Sequence, residues 1–226
     1  MRYRALITAL ALTPTALPAC ELALVLAVDV SGSVERSEYD LQMQGLAAAL
    51  QDGAVSEALV NAQARVMLLQ WTGAGRQIVS IPWTPITDFD QADGFALQVA
   101  ETPRRWRNFS TAVGEAMRVA LTAFEDPAVL SCTRHVIDIS GDGSSNEGLD
   151  PLEARALALS RRVTINALAI ENEEAGLVDY FRTHVITGPG AFALRAADYH
   201  TYQDRIRQKL IREITKQIAV LVPPDM

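Results

Sequence analysis

The sequence predicts a doubly wound, Rossmann-like α/β fold: a mainly parallel six-stranded sheet with one antiparallel edge strand and helices on both faces. Apolar strand patterns alternate with amphipathic helical patterns along the chain, which is the order of elements in such sheets. The first run, residues 22–28, is apolar without alternation, as in a strand buried on both faces. Polar residues follow this run directly, where open α/β sheets place their ligand sites.

The first half of the chain contains three predicted strands. After residues 22–28, apolar side chains at 34–50 lie on one helical face, and a glycine closes that helix. Residues 65–71 form a second buried strand. A turn at 73–75 joins it to residues 76–83, which alternate in hydropathy and include a proline. This tight connection indicates an antiparallel hairpin whose second strand lies at the sheet edge.

The second half continues the alternation of helices and strands. Asp150 followed by Pro151 marks a helix start, because an acidic N-cap and a proline at the first helical position are typical there. The last helix, 199–222, has an apolar stripe formed by Ile206, Leu210, Ile214, Ile218 and Leu221. The other predicted elements are helices at 88–100 (with Phe89, Phe95 and Val99 as core contacts), 112–124, 152–160 and 177–181, and strands at 163–170, at 192–195 and from 136 to the Asp-Gly pair at 142–143.

Length and composition are those of a single exported domain. The 226 residues suit one sizeable core. Residues 1–19 have the pattern of a secretory signal peptide, with two arginines, an apolar stretch and a small residue at Ala19. That stretch is too short for a mature transmembrane helix, and no later segment is long and apolar enough. We expect residues 20–226 to form one soluble, monomeric domain that is periplasmic or secreted.

The charge of the protein argues against nucleic-acid binding. The formal net charge is −7, and removal of the two leader arginines leaves 18 basic against 27 acidic residues. Binding to nucleic acid generally requires basic groups that neutralise phosphates. The three histidines lack the spacing of a zinc pair, and no cysteine cluster accompanies them.

The polar segment after the first strand has the chemistry of a metal site. Asp29, Ser31 and Ser33 stand at every second position and offer one carboxylate and two hydroxyls. Gly32 allows the loop to bend between them. Mg²⁺ prefers such oxygen ligands and keeps water or a partner group in its remaining positions.

This D-x-S-x-S segment resembles the first part of the metal-ion-dependent adhesion site (MIDAS) of von Willebrand factor type A (VWA) domains. Two further segments match the family: Thr111, in a loop that opens a helix, and Asp142, in an Asp-Gly pair after a strand. The resemblance covers nearly the whole mature chain and is closest to exported bacterial VWA proteins of unassigned function. It implies that Mg²⁺ or Mn²⁺ is held by Asp29, Ser31, Ser33, Thr111 and Asp142, with Ser110 as the alternative to Thr111.

The resemblance also implies a partner and a function. In the family, an open coordination position takes a carboxylate from a partner protein, so we expect a partner that presents an acidic residue and no catalysis. Two alternatives stay open: a Mg²⁺-dependent hydrolase, and a structural envelope protein whose loops the metal stiffens. Neither a G-x-S-x-G elbow nor a dinucleotide fingerprint is present.

The two cysteines are placed to form a disulfide. Cys20 lies nine residues before Asp29, and Cys132 lies ten before Asp142. In the family these two strands are neighbours in the sheet, so a Cys20–Cys132 bond is sensible and would persist in an exported protein. The alternatives are two unpaired thiols, or lipidation of Cys20 in a lipoprotein.

Several residues near the predicted site are candidates for partner contacts. Arg104, Arg105 and Arg107 surround Trp106 shortly before Thr111, and the alternative interpretation of this segment is a solvated loop. Asn146 follows Asp142 and either lines the partner site or forms a turn.

One acidic residue does not fit its surroundings. Asp138 lies within an apolar strand pattern, so its carboxylate needs donors. These could come from groups near the metal, from a helix N-terminus or from a structural ion pair.

Overall fold

The computed structural model describes residues 20–215, which contain six strands and seven helices. The strands are β1 (Leu22–Asp29), β2 (Ala64–Trp71), β3 (Gln77–Ile86), β4 (Arg134–Gly141), β5 (Thr164–Ile170) and β6 (Ala193–Ala196). The helices are α1 (Arg36–Leu50), α2 (Gly53–Asn61), α3 (Phe89–Glu101), α4 (Val113–Ala123), α5 (Pro151–Ser160), α6 (Leu177–His184) and α7 (Tyr202–Ile214).

The strands form one sheet in the order β3-β2-β1-β4-β5-β6. Only the edge strand β3 is antiparallel to its neighbour, and the other pairs are parallel. The predicted fold class is therefore confirmed. β1 and β4 are neighbours, with Val28 opposite Ser140. The residues that follow these two strands consequently emerge side by side at the carboxyl edge of the sheet.

Helices cover both faces of the sheet, which explains the unbroken apolar run in β1. All eight residues of β1 are buried. Leu24 and Leu26 pack into a core with α1, α2, α3 and α7, whereas Val25 and Ala27 pack into a second core with α4, α5 and α6. Full burial of each such side chain contributes roughly 1.5–3 kcal/mol relative to exposure.

Two details differ from the sequence-based expectations. The helix α2 was not predicted, because the glycine at 53 has the pattern of a helix end; Asp52 instead caps α2 by accepting a hydrogen bond from the Ala54 amide at 3.1 Å. Phe89 was expected in the core, but it is 55% exposed. It is the first residue of α3. Phe95 and Val99 are the predicted contacts of this helix that are buried in the core.

Some expectations fall outside residues 20–215. The predicted signal peptide at 1–19 and the predicted stripe residues Ile218 and Leu221 lie there. Ile206, Leu210 and Ile214 of α7 are buried as predicted. None of the helices between residues 20 and 215 combines the length and the apolar character that crossing a membrane requires.

Cys20 and Cys132 form a disulfide, as predicted. Cys20 precedes β1 and Cys132 precedes β4, and the Thr133 amide donates to the Cys20 carbonyl beside them at 3.1 Å. The bond therefore ties together the amino-terminal ends of the two central strands. Because Cys20 Sγ is used in this bond, the disulfide is incompatible with a lipid thioether on the same atom.

The carboxylate of Asp138 takes part in a buried ion cluster with α7. Lys209 Nζ lies 2.6 Å from Asp138 Oδ1 and also contacts Glu213 Oε1. All three side chains are almost fully buried. Of the three alternatives for Asp138, the structure therefore shows the ion pair.

Candidate metal centre

The D-x-S-x-S loop folds around the buried carboxylate of Asp29, the last residue of β1. Asp29 Oδ1 accepts a hydrogen bond from the Ser31 amide at 2.7 Å. Within the described residues, Asp29 Oδ2 is buried and has no hydrogen-bond partner. A buried carboxylate oxygen without a donor is costly unless a cation or a proton compensates it.

The second carboxylate reaches the same place from β4. Asp142 follows the end of β4 and is 2% exposed. Its Oδ1 accepts a hydrogen bond from Ser33 Oγ at 2.5 Å, and Ser33 Oγ lies 3.2 Å from Ser31 Oγ. Two distant segments of the chain thus bring two carboxylates and two hydroxyls together.

Thr111 approaches this group from the loop before α4. It is buried, and its Oγ1 would lie 3.7 Å from a Cβ built on Gly143, the residue after Asp142. Asn146 fixes Thr111 through two backbone contacts: its Oδ1 accepts from the Thr111 amide at 3.0 Å, and its own amide donates to the Thr111 carbonyl at 2.9 Å. Ser110, the alternative, is exposed. All five predicted ligands therefore lie at one edge of the sheet.

Lack of space for a side chain explains two glycines of the site. A Cβ on Gly32 would lie 3.2 Å from the Phe109 carbonyl oxygen. The Gly32 amide donates to this carbonyl at 2.8 Å, which joins the D-x-S-x-S loop to the loop that carries Thr111. A Cβ on Gly141 would lie 3.0 Å from Asp29 Oδ2. A side chain at Gly141 would therefore crowd the unpartnered carboxylate oxygen.

Burial and mutual repulsion dominate the electrostatics of the site. Burial, reinforced by the charge of Asp142, raises the pKa of Asp29 well above its usual range. Burial also raises the pKa of Asp142, although hydrogen bonds from Ser33 and Tyr199 oppose this shift. A bound divalent cation would stabilise both carboxylates in their ionised form.

The Arg104 side chain binds the backbone of the D-x-S-x-S loop. Its Nη2 donates to the Val30 carbonyl at 3.1 Å and to the Ser31 carbonyl at 2.7 Å. Burial lowers the pKa of Arg104, and the charge of Asp29 opposes this effect. Arg104, predicted as a partner contact, is thus half-buried and holds the backbone that presents Ser31.

The other predicted partner contacts differ in exposure. Trp106 is half-buried and packs against the core cluster on the α1 side of the sheet. Arg105, Arg107 and Asn146 are exposed. The exposed members of this set are therefore available to a second molecule, whereas Trp106 mainly anchors its own loop.

Sequence reasoning missed two residues that position the site. The Tyr199 hydroxyl donates to Asp142 Oδ2 at 3.1 Å from the segment before α7. Gln42 of α1 donates through Nε2 to the Asp29 carbonyl at 3.0 Å. The position of Gln42 next to the apolar stripe of the predicted helix was the available sequence signal. No local pattern marked Tyr199.

The donor set fits a hard divalent cation. Its atoms are all oxygens, two from carboxylates and three from hydroxyls, and Asp29 Oδ2 lacks a partner in the described chain. Residues 20–215 contain no group of three or more His, Cys, Asp or Glu side chains arranged to hold a metal. The five predicted ligands carry two formal negative charges, those of Asp29 and Asp142. Mg²⁺ or Mn²⁺ suits such oxygen ligands better than a soft metal does.

Solved structures share this fold. The chain resembles proximal thread matrix protein 1 of the mussel byssus, with a TM-score of 0.66 and 14% identity over 85% of this chain and 47% of that one. It resembles a von Willebrand factor type A protein of Catenulispora acidiphila, with a TM-score of 0.59 and 16% identity over 86% and 43%. It also resembles the conserved hypothetical protein BatB of Bacteroides thetaiotaomicron, with a TM-score of 0.54 and 18% identity over 85% and 98%.

These likenesses establish the fold. The chain spans less than half the length of the first two structures. The mussel protein has also been solved with a zinc-occupied MIDAS motif.

Comparison with protein-family profiles identifies the family of this chain. No curated protein sequence is significantly similar to this chain. The profile of the family described as "Protein of unknown function (DUF1194)" matches residues 19–218, which is most of the chain. Together with its six-stranded sheet, this match shows that the chain belongs to the DUF1194 family and has the fold of a VWA domain.

Proposed function

We propose that this protein is a protein-binding domain of the adhesion type that depends on a divalent cation. Asp29, Ser31, Ser33, Thr111 and Asp142 hold Mg²⁺ or Mn²⁺, and a carboxylate of the partner completes the coordination. The observation that carries the proposal is the buried, unpartnered Oδ2 of Asp29 beside Asp142. The zinc-occupied MIDAS of the mussel protein supports it by analogy of fold.

The open coordination position of the metal, rather than a net charge of the site, favours an anionic partner group. When bound, the metal supplies a Lewis-acidic centre that attracts oxygen anions. The chain itself orients the ligands: Ser33 and Tyr199 each hold one oxygen of Asp142, and Arg104 holds the carbonyls beside Ser31. Two carboxylates neutralise a divalent ion without excess negative charge, so a further carboxylate can bind.

Binding is favoured over catalysis at this edge of the sheet. The Ser33 hydroxyl bonds to Asp142 and lies close to that of Ser31, and neither pairs with a histidine that would act as a base. A Mg²⁺-dependent hydrolase is the first alternative, tested by phosphatase and esterase turnover of the purified domain with Mg²⁺. The other alternative is a structural envelope protein, in which loss of the metal would lower stability and leave partner binding intact.

We further propose that the domain works outside the cytoplasm, in the periplasm or as a secreted protein. The disulfide between Cys20 and Cys132 supports this location, because such bonds persist in oxidising compartments.

Calorimetric titration with Mg²⁺ and Mn²⁺ tests the metal site directly. We expect saturable binding to the wild type, loss of at least tenfold in affinity for Asp29→Asn, and no change for Asp90→Asn, an exposed aspartate on α3. Capture from an envelope extract, with Mg²⁺ or with EDTA, then tests the partner. Equal capture under both conditions would contradict the proposed function.

A further inference from the structure

A basic cleft adjoins the metal centre on the α1 side. Its volume is about 320 Å³, and it lies between α1 and the loop at 102–107. Three arginines line it: Arg36, Arg104 and Arg107. Because Arg104 donates to the Ser31 carbonyl, the cleft begins directly behind the D-x-S-x-S loop.

The outer two arginines of the cleft form no ion pair within the described residues. Arg36 and Arg107 are exposed, and within residues 20–215 neither takes part in a salt bridge or a hydrogen bond of its side chain. Asp40 and Glu101 also line the cleft without pairing with them. Two free guanidinium groups at one place are notable in a protein with a formal charge of −7.

The opposite rim of the metal centre is acidic. Glu174 Oε2 accepts from the Ser144 amide at 2.8 Å and would lie 3.8 Å from a Cβ on Gly143, next to Asp142. The charge of Glu173, the neighbour of Glu174, also acts on the Asp142 carboxylate. Glu38 acts on it as well, but it lies on α1, two residues after Arg36, and is not part of this rim. The surface around the metal therefore changes sign, from basic beside Arg107 to acidic beside Glu174.

We propose that the partner presents an acidic peptide segment with two carboxylates, of which one completes the metal site and the second binds Arg36 and Arg107 in this cleft. The inference rests on the proposed function and adds the chemistry and direction of the partner. Acidic side chains toward Glu174 would be repelled, so the segment has to run from the metal toward α1. Arg104 contacts the Ser31 carbonyl and also lines the cleft, so the two acids of the partner have to lie close together in its sequence.

Peptide selection tests the proposal even though the partner is unidentified. A random peptide library is displayed and selected on the wild-type domain in Mn²⁺, and the recovered peptides are synthesised. We expect two acidic residues close together in the recovered sequences. Affinity for the wild type should fall as salt rises, because the second contact is exposed.

Variants then separate the two contacts. The pair Arg36→Glu and Arg107→Glu should weaken peptide affinity at least tenfold and leave Mn²⁺ affinity within about threefold of the wild type. The control pair Arg162→Glu and Arg205→Glu makes the same change in net charge at exposed positions on other parts of the surface. It should weaken peptide affinity less than threefold.

The outcomes distinguish this inference from the proposed function. Peptides that bind only with Mn²⁺, contain a single acid and bind the cleft pair as tightly as the wild type would overturn the inference alone. Equal losses in the cleft pair and the control pair would also overturn it, because the effect would then be one of net charge. Failure to recover any Mn²⁺-dependent peptide would contradict the proposed function and the inference together.

Discussion

The Tyr199 hydroxyl donates a hydrogen bond to Oδ2 of Asp142 at 3.1 Å, while Ser33 Oγ holds Oδ1 of the same carboxylate at 2.5 Å. Both oxygens of Asp142 are therefore fixed by neighbours from different segments of the chain. Burial, and then the charge of Asp142, raise the pKa of Tyr199 well above its usual value, so the phenol keeps its proton and acts as a donor.

Replacement of Tyr199 by Phe should weaken metal binding. Loss of a residue that orients a ligand typically lowers metal affinity by about 10- to 100-fold, and we expect the Mn²⁺ dissociation constant to rise by about tenfold. Calorimetric titration measures it. The matched control is Tyr202→Phe, since Tyr202 is buried three residues further on and donates no hydrogen bond to Asp142. Equal affinities for Tyr199→Phe and the wild type would show that Tyr199 does not position Asp142.

The Asp29→Asn variant should separate metal binding from folding. In EDTA we expect the variant to be at least as stable as the wild type, because the amide removes repulsion from Asp142 and can still accept from Ser31. Mg²⁺ at about 100 times the wild-type dissociation constant should stabilise the wild type by about 2.7 kcal/mol and the variant, with its affinity at least tenfold weaker, by about 1.4 kcal/mol or less. Thermal unfolding with and without Mg²⁺ measures both. An equal gain in the two proteins would place the metal elsewhere.

The stability of the domain should depend on pH through Glu213. Burial, and then the charge of Asp138, raise the pKa of Glu213 well above its usual range. The native state therefore favours the protonated form. The stabilisation is complete below the unfolded pKa of about 4.3 and is lost as pH rises through the native pKa.

Glu213→Gln isolates this effect, because the amide keeps an acceptor for Lys209 and cannot ionise. From about pH 5 to about pH 9, the unfolding free energy should fall in the wild type and fall less in the variant. The two falls should differ by at least about 1.4 kcal/mol, which corresponds to one pKa unit. Urea unfolding at several pH values in EDTA measures the difference. Glu57→Gln, an exposed change on α2, should retain the wild-type slope. A Glu213→Gln slope equal to that of the wild type would refute the assignment.

Reduction of the disulfide should destabilise the domain and spare the metal centre. The bond joins residues separated by 112 positions, and a loop of this size is expected to contribute about 4–5 kcal/mol. The eight-residue strand β1 places Leu22 roughly 23 Å from Asp29, and Cys20 lies before Leu22 at the far end of the strand. Urea unfolding of the Cys20→Ser, Cys132→Ser double variant measures the loss. Its Mn²⁺ affinity, measured while it is still folded, should stay within about threefold of the wild type, and a larger drop would link the two ends of the sheet.

The candidate ligands could be named from the sequence because the D-x-S-x-S segment resembles the VWA motif, and because each matching residue adjoins an element with a clear pattern. Asp29 follows an unbroken apolar strand, Asp142 follows a second one, and Thr111 opens an amphipathic helix. The parallel order of β1 and β4 then brings them together. The resemblance, which makes these two strands neighbours, also implied the disulfide at their other end.

The supporting contacts could not be predicted because they depend on tertiary packing. Lys209 and Glu213 are spaced as an ion pair on an exposed helical face, and only the docking of α7 places them inside, against Asp138. Asp138 within an apolar strand was the one local sign that a cation had to be near. Arg104 belongs to a run of arginines that suggests a solvated loop, although its guanidinium points inward to the Ser31 carbonyl.

The buried ammonium of Lys209 also fixes the axial position of α7 relative to the sheet. A slide of one helical turn, about 5.4 Å, would carry Lys209 away from Asp138 and leave that carboxylate in an apolar interior without its cation. We therefore expect α7 to resist axial translation. Metal or partner binding at the candidate site would then change the loops around the site and their charges, while α7 would keep its position against the sheet.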